Sequence, residues 1–475
     1  MINLCLIKPI WVDECYTYYG VNHDSYSLFF NSILSGINFS PPLYFLFNFC
    51  VQLVFPTSIE ALRIQSLLWT LVGLVLCFMA CRRLWGTSSS LIGSLLVASS
   101  SDLLLSNASE ARHYSMFFAC AAWVLYEVTR EQNNKKLLPL TFFAHLSFCL
   151  VHYFGIIFSS IVGLILLIKN RRIPKILVCC WLLAVPLYLY FLSNQSSHLG
   201  AWLRPNSIND LFDAYRGAIV FLFLLIPVFA GLLSASGKSF STQTLGHLPH
   251  PVIIVAFIWY LTPFLAWCIS HISEVNLFKE RYFIPKETGL VVLVTFACHK
   301  VFESLGFLSC KSFAGKFFPL FSTSILCLVL LFLHLKRSVF ALDPNRNYYS
   351  WLLYDDQFYS EDSPLFFCGD PVFFPNAYKY SEKAYFFVDN EKLNSIYSQF
   401  SSKIKVLSYN DLNDFNTFIL VSKKDDLPEL KPLEFRVSSL GKFHERLPLV
   451  CTKFERGKSD DYHPLHELST HPIFD

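Results

Sequence analysis

Residues 61–81 of the chain, ALRIQSLLWTLVGLVLCFMAC, decide its fold. Arg63 is the one charged residue in this stretch, and two further arginines, Arg82 and Arg83, follow it directly. About 20 apolar residues in a helix cross the hydrocarbon core of a bilayer, which is roughly 30 Å thick. A helix is needed there because a chain in lipid must pair its own backbone N–H and C=O groups. The stretch therefore predicts a membrane-spanning helix.

The rest of the sequence repeats this pattern. Of the 475 residues, 53% are hydrophobic and only 15% are charged, with a mean hydropathy of +0.43. This balance lies outside the range of soluble domains. We predict further spans at residues 88–105, 113–129, 137–151, 154–168, 174–192, 217–235, 251–270, 283–299 and 317–335. The expected fold is a polytopic α-helical membrane protein with about ten or more helices.

A second region begins where these apolar stretches end. After Lys336 and Arg337 the sequence is dense in charged residues. Four short runs there favour β-strands, namely Pro364 to Cys368, Ala384 to Val388, Ile404 to Leu407 and Thr417 to Val421. We therefore predict a membrane domain over residues 1–336, with a first outer loop at 13–60. Residues 337–475 are predicted to form a small soluble α/β domain.

Lysine and arginine mark alternate loops, which are cytoplasmic under the positive-inside rule. Clear examples are Arg82 and Arg83, then Arg130, Lys135 and Lys136, then Lys169, Arg171, Arg172 and Lys175. The first loop and the C-terminal domain are therefore expected on the extracytoplasmic side of the plasma (inner) membrane. Residues 1–12 are apolar but too short to span, so they form an interfacial segment or the true start lies upstream.

Charge and cysteine usage exclude other classes of protein. The formal net charge is only +3, and no basic run is interleaved with aromatic residues, so we expect no nucleic-acid partner. The 15 cysteines lie mostly in apolar stretches, and the sequence has no CxxC or Cys/His ligand spacing. No metal site is predicted from these residues.

Asp13 and Glu14 place two adjacent carboxylates at the expected outer membrane face, just before several tyrosines. A partly desolvated carboxylate at this position can act as a general base toward an acceptor hydroxyl. The alternative is a pair of solvated loop charges. These two residues alone do not decide between the alternatives.

A second polar cluster is the segment 107–114, NASEARHY, between two predicted spans. Arginine at the edge of a bilayer is costly unless it is paired, so Arg112 either pairs with Glu110 or binds an anion such as a lipid phosphate. Tyr114 would share a helix face with Glu110. Arg281 repeats this situation beside Glu280 at the start of another span.

Two further motifs are expected on the same face. Residues 152–155, HYFG, form a short outer turn, and residues 40–44, SPPLY, precede an amphipathic run. Aromatic packing at the interface and a proline turn would explain each of them singly. If each motif had only a structural role, the expected position of all of them on one membrane face would be a coincidence.

The order of these motifs resembles a known family. The matching residues are Asp13-Glu14, Pro41 to Tyr44, Glu60 to Ser66, Ser109 to Tyr114, His152 to Gly155 and Arg281 to Pro285. In this order they are similar to the GT-C membrane glycosyltransferases related to protein O-mannosyltransferases and lipid A aminoarabinose transferases, the glycosyltransferase family 39-like group. Each piece is weak alone, and the consistent order over roughly the first 300 residues carries the resemblance.

The resemblance implies a sugar transferase whose donor is a polyprenyl-phosphate-linked sugar. Asp13 would be the catalytic carboxylate, and Glu14 would orient the acceptor or assist a divalent cation. Arg112 and Arg281 would bind the donor phosphate, and the substrate pocket would be formed by Glu110, Tyr114, His152, Tyr153 and Tyr44. The polyprenyl tail would lie in a groove between helices. Membrane lipids would be further partners, and the acceptor would be a lipid, a glycan or a protein.

Two departures from the family are visible. Ser40 stands where the family usually has histidine, and the helix that normally precedes the Asp-Glu pair is represented only by residues 1–12. Two other functions therefore stay open: a transporter or flippase of lipid-linked saccharides, and a non-catalytic homologue. A transporter would be expected to hold its ionisable residues near mid-membrane at broken helices.

Overall fold

The computed structural model describes two compact units. One consists of Met1–Ile7 and Phe39–Phe340, and the other of Lys8–Asn38 and Ala341–Asp475. The described residues are 5, 10, 12–23, 25–34, 40–55, 58–131, 138–171, 174–194, 207–215, 250–272, 278–304, 363–368, 378, 382–387, 405–407, 411, 414–423, 435–444 and 447–456. The predicted spans 217–235 and 317–335 lie outside them.

The first unit is helical throughout its described part. Its helices are α3 (Leu43–Gln52), α4 (Ile59–Trp85), α5 (Thr87–Ser100), α6 (Asp102–Ala108), α7 (Tyr114–Glu131), α8 (Leu138–Val151), α9 (Phe154–Asn170), α10 (Lys175–Asn194), α11 (Ile208–Ala214), α12 (Pro251–Ile272) and α13 (Pro285–Ser304), with a 3₁₀ turn at Glu280–Phe283. All eight predicted spans that fall on described residues coincide with these helices, α5 and α6 together forming one of them. The prediction of a polytopic helical fold is therefore confirmed.

Two of the described helices, α4 and α12, are each long and apolar enough to cross a membrane alone. Helices α5 and α6 form a third such segment, but it is bent by 74°. The bend falls at Ser101, whose side chain accepts a hydrogen bond of 3.1 Å from Leu104 N–H and so caps α6. The described part also contains shorter apolar helices, among them α3 and α9.

Helix α7 lies at the centre of the first unit. Most of its side chains are buried, including Phe117, Phe118 and Leu125. By contrast, α4 exposes Leu68, Leu71 and other large apolar residues along one face, as a lipid-facing helix does. The N-terminal residue of α7, Tyr114, is thereby fixed by the surrounding core.

The second unit combines two short helices with a mixed sheet. Helices α1 (Val12–Val21) and α2 (Tyr26–Leu34) come from the N-terminal segment, where an outer loop was predicted. The strands are β1 (Leu365–Cys368), β2 (Ala384–Phe387), β3 (Val406–Leu407), β4 (Thr417–Lys423), β5 (Phe435–His444) and β6 (Leu447–Arg456). Their order is β3-β2-β1-β4-β6-β5, in which β1 to β4 pair in parallel and β6 pairs antiparallel with β4 and β5.

The central strands of this sheet are apolar on both faces. Leu365, Phe366 and Phe367 of β1 are buried, as are Ile419 and Leu420 of β4. Parallel strands covered on both sides have this composition. Strands β1 to β4 match the four predicted β-runs, which confirms the sheet, whereas β5 and β6 were not predicted. The domain boundaries at 336 and 337 stay a prediction.

Candidate functional site

The turn that carries Arg112, His113 and Tyr114 is held against α4 by hydroxyl groups. Ser66 Oγ donates to the carbonyl of Arg112 at 3.4 Å, and Thr70 Oγ1 donates to Ser115 Oγ at 3.1 Å. Ser115 in turn donates to a carbonyl in the preceding helix, that of Asn107, at 2.9 Å. These bonds replace the helical hydrogen bonds that the chain loses between α6 and α7.

Two guanidinium groups converge on the ring of Tyr114. The Cζ atom of Arg112 lies 5.8 Å from the ring centroid, and that of Arg281 lies 5.9 Å from it. The two arginines come from segments far apart in sequence, the α6–α7 turn and the 3₁₀ turn before α13. Tyr114 is buried, whereas both arginines are half-buried and reach the surface. An oxyanion beside this ring would meet both cations.

Behind the arginines lie two histidines in the turns outside the helices. The ring centroids of His113 and His152 are 5.2 Å apart, and both side chains are buried. Burial, with a smaller effect of Arg112, lowers the pKa of His152 from 6.5 to about 3. Burial also lowers the pKa of His113 well below 6.5, and His152, Arg112 and Arg281 add to the shift. Both rings are therefore neutral near pH 7, and Arg112 and Arg281 supply the positive charge of the cluster.

The turn around His152 has a fixed geometry. Phe154 N–H donates to His152 Nδ1 at 3.1 Å, which makes Nε2 the protonated nitrogen of the neutral ring. The hydroxyl of Tyr188 donates to the carbonyl of Cys149 and lies 3.3 Å from the carbonyl oxygen of His152. Gly155 lies so close to α8 that a Cβ there would come within 2.1 Å of the Phe148 carbonyl oxygen. The HYFG sequence thus forms a tight turn in which only glycine fits at position 155.

Aromatic rings surround this cluster. Tyr282 lies 5.0 Å from His152 and 6.3 Å from Tyr114 between ring centroids. Tyr44 lies 6.0 Å from His113 in an edge-on contact. Ser40 Oγ is 3.3 Å from the Nδ1 atom of His113, so the serine that departs from the family pattern contacts an imidazole from another segment.

The remaining predicted site residues have different surroundings. Glu110 is half-buried in the same turn, and its carbonyl accepts from Arg112 N–H at 2.8 Å. Tyr153 packs edge-on against Tyr188 of α10, with ring centroids 5.0 Å apart. Asp13 and Glu14 lie in the first turn of α1, in the second unit, where Glu14 is fully buried and Asp13 is half-buried. Their assigned roles stay predictions.

Two solved structures have a similar fold. The chain is similar to ArnT from Cupriavidus metallidurans bound to undecaprenyl phosphate, with a TM-score of 0.58, 13% identity and coverage of 95% of each chain. The fold is GT-C-like. The apo form of ArnT from the same organism gives a TM-score of 0.52 at 14% identity, covering 90% of this chain and 89% of that one. No protein-family model and no curated protein matches the sequence.

Three residues of the site region were missed by the sequence analysis. His113 fills a position that the family motif leaves unassigned, and its only sequence signal is its place between Arg112 and Tyr114. Lys286 and Glu287 form a buried ion pair at the start of α13; two adjacent charges inside a predicted span would have signalled it. Within the described residues, no group of three or more His, Cys, Asp or Glu side chains is arranged to hold a metal ion.

Proposed function

We propose that the protein transfers a sugar from a polyprenyl-phosphate-linked donor to an acceptor hydroxyl at the outer membrane face. The observation that carries this proposal is the convergence of Arg112 and Arg281 on Tyr114, at 5.8 and 5.9 Å. Guanidinium groups bind phosphate oxygens in a planar, bidentate geometry. The GT-C-like fold, shared with an ArnT that binds undecaprenyl phosphate, supports the same ligand class.

The chemistry follows from the charge of the donor. A sugar phosphodiester has one negative charge, and the departing polyprenyl phosphate gains a second as the sugar–oxygen bond breaks. Arg112 and Arg281 stabilise that developing charge, and the neutral histidines add no further cation. Asp13 takes the proton of the acceptor hydroxyl in a single inverting displacement, and Glu14 orients the acceptor. The role of Asp13 is derived from the sequence motif.

Binding of undecaprenyl phosphate to the detergent-purified protein tests the proposal. Arg112→Lys and Arg281→Lys keep the charge but lose the planar fork, so we expect each to weaken binding by about tenfold or more. Arg83→Lys is a matched control, because Arg83 also lies over a tyrosine ring, 4.3 Å from the Tyr126 centroid, but near the other end of α7. Unchanged affinity in both test variants would contradict the phosphate site.

A transfer assay separates the enzyme from its alternatives. Membranes that contain the protein are given a radiolabelled polyprenyl-phosphate sugar and a crude acceptor fraction, and label that leaves the lipid is followed. Transfer that depends on Arg112 supports the proposal. Movement of intact labelled lipid across the bilayer, with the sugar–phosphate bond never cleaved, would favour a transporter instead.

A further inference from the structure

A buried ion pair begins α13, and phosphate binding does not use it. Lys286 and Glu287 are each only 2% exposed, and Lys286 Nζ donates to Glu287 Oε1. Glu287 lies in the first turn of the helix, where the helix dipole favours a negative charge. Ionisable side chains inside a membrane bundle are costly, and where they occur they commonly mark a functional site.

The second carboxylate oxygen of Glu287, Oε2, can accept a hydrogen bond from a ligand. Within the part of the chain that the structure describes, Oε2 is buried and accepts no hydrogen bond. A carboxylate has acceptor capacity on both oxygens, and a buried acceptor left without a donor carries its full desolvation penalty. The Lys286 ammonium has three N–H groups, of which Glu287 Oε1 takes one. A ligand hydroxyl can donate to Oε2, and a neighbouring hydroxyl can accept from Nζ.

An aromatic residue completes this arrangement. The ring of Tyr215 lies with its centroid 5.6 Å from Lys286 Nζ. The Tyr215 hydroxyl is inserted into α12 beside Pro263, where it donates to the Tyr260 carbonyl at 2.8 Å and accepts from Phe264 N–H at 3.3 Å. A few placed polar groups beside an aromatic face are typical of a small-ligand site. Vicinal hydroxyls on a ring with apolar C–H faces, as in a sugar, match these groups.

The pair is held in place by backbone packing. A Cβ at Gly289 would come within 2.5 Å of the Ala256 carbonyl oxygen, so the first turn of α13 contacts α12 directly. Thr288 Oγ1 also donates to the Pro285 carbonyl at 2.6 Å. These contacts fix the backbone of Lys286 and Glu287 before any ligand binds, which lowers the entropic cost of binding.

The position of the pair relates it to the phosphate site. Lys286 follows Tyr282 by four residues, across the junction between the 3₁₀ turn and α13. Tyr282 itself contacts Tyr114 and His152. The short separation along the chain therefore places the pair next to the segment that carries Arg281 and Tyr282.

We infer that Lys286 and Glu287 bind two hydroxyl groups of the sugar that the donor phosphate carries. This inference rests on the proposed function, because it assigns the sugar part of the same ligand. Glu287 Oε2 accepts from one hydroxyl, Lys286 Nζ donates to its neighbour, and Tyr215 provides the adjacent aromatic face. The pair thus selects sugars that present two neighbouring hydroxyls in the right orientation.

The test compares a lipid phosphate with and without its sugar. Dissociation constants are measured for bare undecaprenyl phosphate and for undecaprenyl phosphate carrying mannose, glucose, galactose or arabinose. We expect the wild type to bind at least one sugar lipid more tightly than the bare lipid. Glu287→Gln should remove about tenfold of that preference and leave the affinity for the bare lipid within about twofold.

Two further variants distinguish loss of sugar binding from a general effect of disturbing a buried ion pair. Glu287→Gln leaves a buried ammonium unpaired, whereas the double change Lys286→Met with Glu287→Gln removes both charges and keeps similar volume. The double variant should bind the bare lipid normally and show no preference for a sugar. Glu127→Gln is the matched control, because Glu127 is 1% exposed and paired with Arg130 at the C-terminal end of α7. It should keep the preference.

The outcomes separate the two proposals. A sugar preference that persists in the double variant, equal weakening of both ligands by Glu287→Gln, or a wild type without any sugar preference would each overturn the role of the pair. In those cases the wild type still binds the bare lipid through Arg112 and Arg281. Failure of the wild type to bind undecaprenyl phosphate at all would contradict the proposed function, and the role of the pair with it.

Discussion

At the scale of single residues, the proposed role of Asp13 as a general base can be tested directly. A general base contributes on the order of 100- to 10,000-fold to a rate, whereas a solvated charge contributes almost nothing. Asp13→Asn keeps the shape of the side chain and removes its basicity, so we expect sugar transfer to fall by roughly that factor. Expression and binding of undecaprenyl phosphate should stay near wild-type levels.

Glu14 provides the comparison for this variant. If Glu14 orients the acceptor, Glu14→Gln should reduce transfer less than Asp13→Asn does. Because Glu14 is fully buried, thermal unfolding of both variants must be measured beside transfer. Undiminished transfer by Asp13→Asn would remove its assignment as the base.

His152 makes the stability of the folded protein depend on pH. The folded chain holds this ring neutral, with a pKa of about 3 against 6.5 for an ordinary histidine. Between these values the unfolded chain binds more protons, so the free energy of unfolding falls as the pH drops from 6.5 toward 3. We expect the thermal midpoint of the detergent-solubilised protein to fall over this window.

The variant His152→Asn checks the source of that dependence. The Asn side-chain oxygen can still accept from Phe154 N–H, as Nδ1 does now, but it does not titrate. We expect a lower midpoint near pH 7 and a smaller fall on acidification. The same fall as in the wild type would assign the acid sensitivity to other groups, and His113 would be the first of them to examine.

The chemistry of single residues allowed part of the cluster around Tyr114 to be predicted from sequence. Arginine at a membrane edge is rare enough to be informative, which is why Arg112 and Arg281 were singled out from sequence. The contact of both with Tyr114 could not be derived, because it depends on how α7 and the 3₁₀ turn pack. The two charges Lys286 and Glu287 are visible inside a predicted span, but their mutual hydrogen bond and their burial depend on how α13 packs against α12.

At the scale of elements, the hydrogen bonds beside Pro263 in α12 make a specific prediction. Pro263 lies inside the helix, and the Tyr215 hydroxyl bridges Phe264 N–H and the Tyr260 carbonyl. Tyr215→Phe removes the bridge and keeps the ring beside Lys286. We expect a loss of roughly 1–3 kcal/mol of stability, seen as a lower thermal midpoint.

An exposed tyrosine is the control for this variant. Tyr190 is 46% exposed on α10, so Tyr190→Phe should leave the midpoint almost unchanged. A midpoint for Tyr215→Phe equal to that of the wild type would mean that the two backbone groups find each other directly once the hydroxyl is gone.

Helices were easier to predict than their interruptions. Apolar length locates a helix in lipid, and the predicted limits of α4, α7 and α12 differ from the observed ones by only a few residues. The 74° bend between α5 and α6 lies inside one predicted span, at a serine that apolar periodicity does not distinguish. Strand β5 was missed because its polar and charged residues give no continuous apolar run. Strand β6 begins with an apolar run, LPLVC, but that run contains a proline, which argues against a central strand.

At the scale of the whole molecule, the open question is orientation. The basic loops predict that a reporter fused after Lys136 lies in the cytoplasm and that one fused after Asp356 lies outside. Alkaline phosphatase and green fluorescent protein fusions at the two positions should therefore give opposite signals. If both positions report the same side, the predicted location of the site must be abandoned.

The bridge in α12 also bears on how the protein is assembled. Backbone N–H and carbonyl groups inside lipid must be paired, because no water is there to bond them. Tyr215 precedes α12 in the chain, so its hydroxyl has already been synthesised when Tyr260 and Phe264 leave the ribosome. The hydroxyl that bonds these two backbone groups is therefore made before the groups themselves.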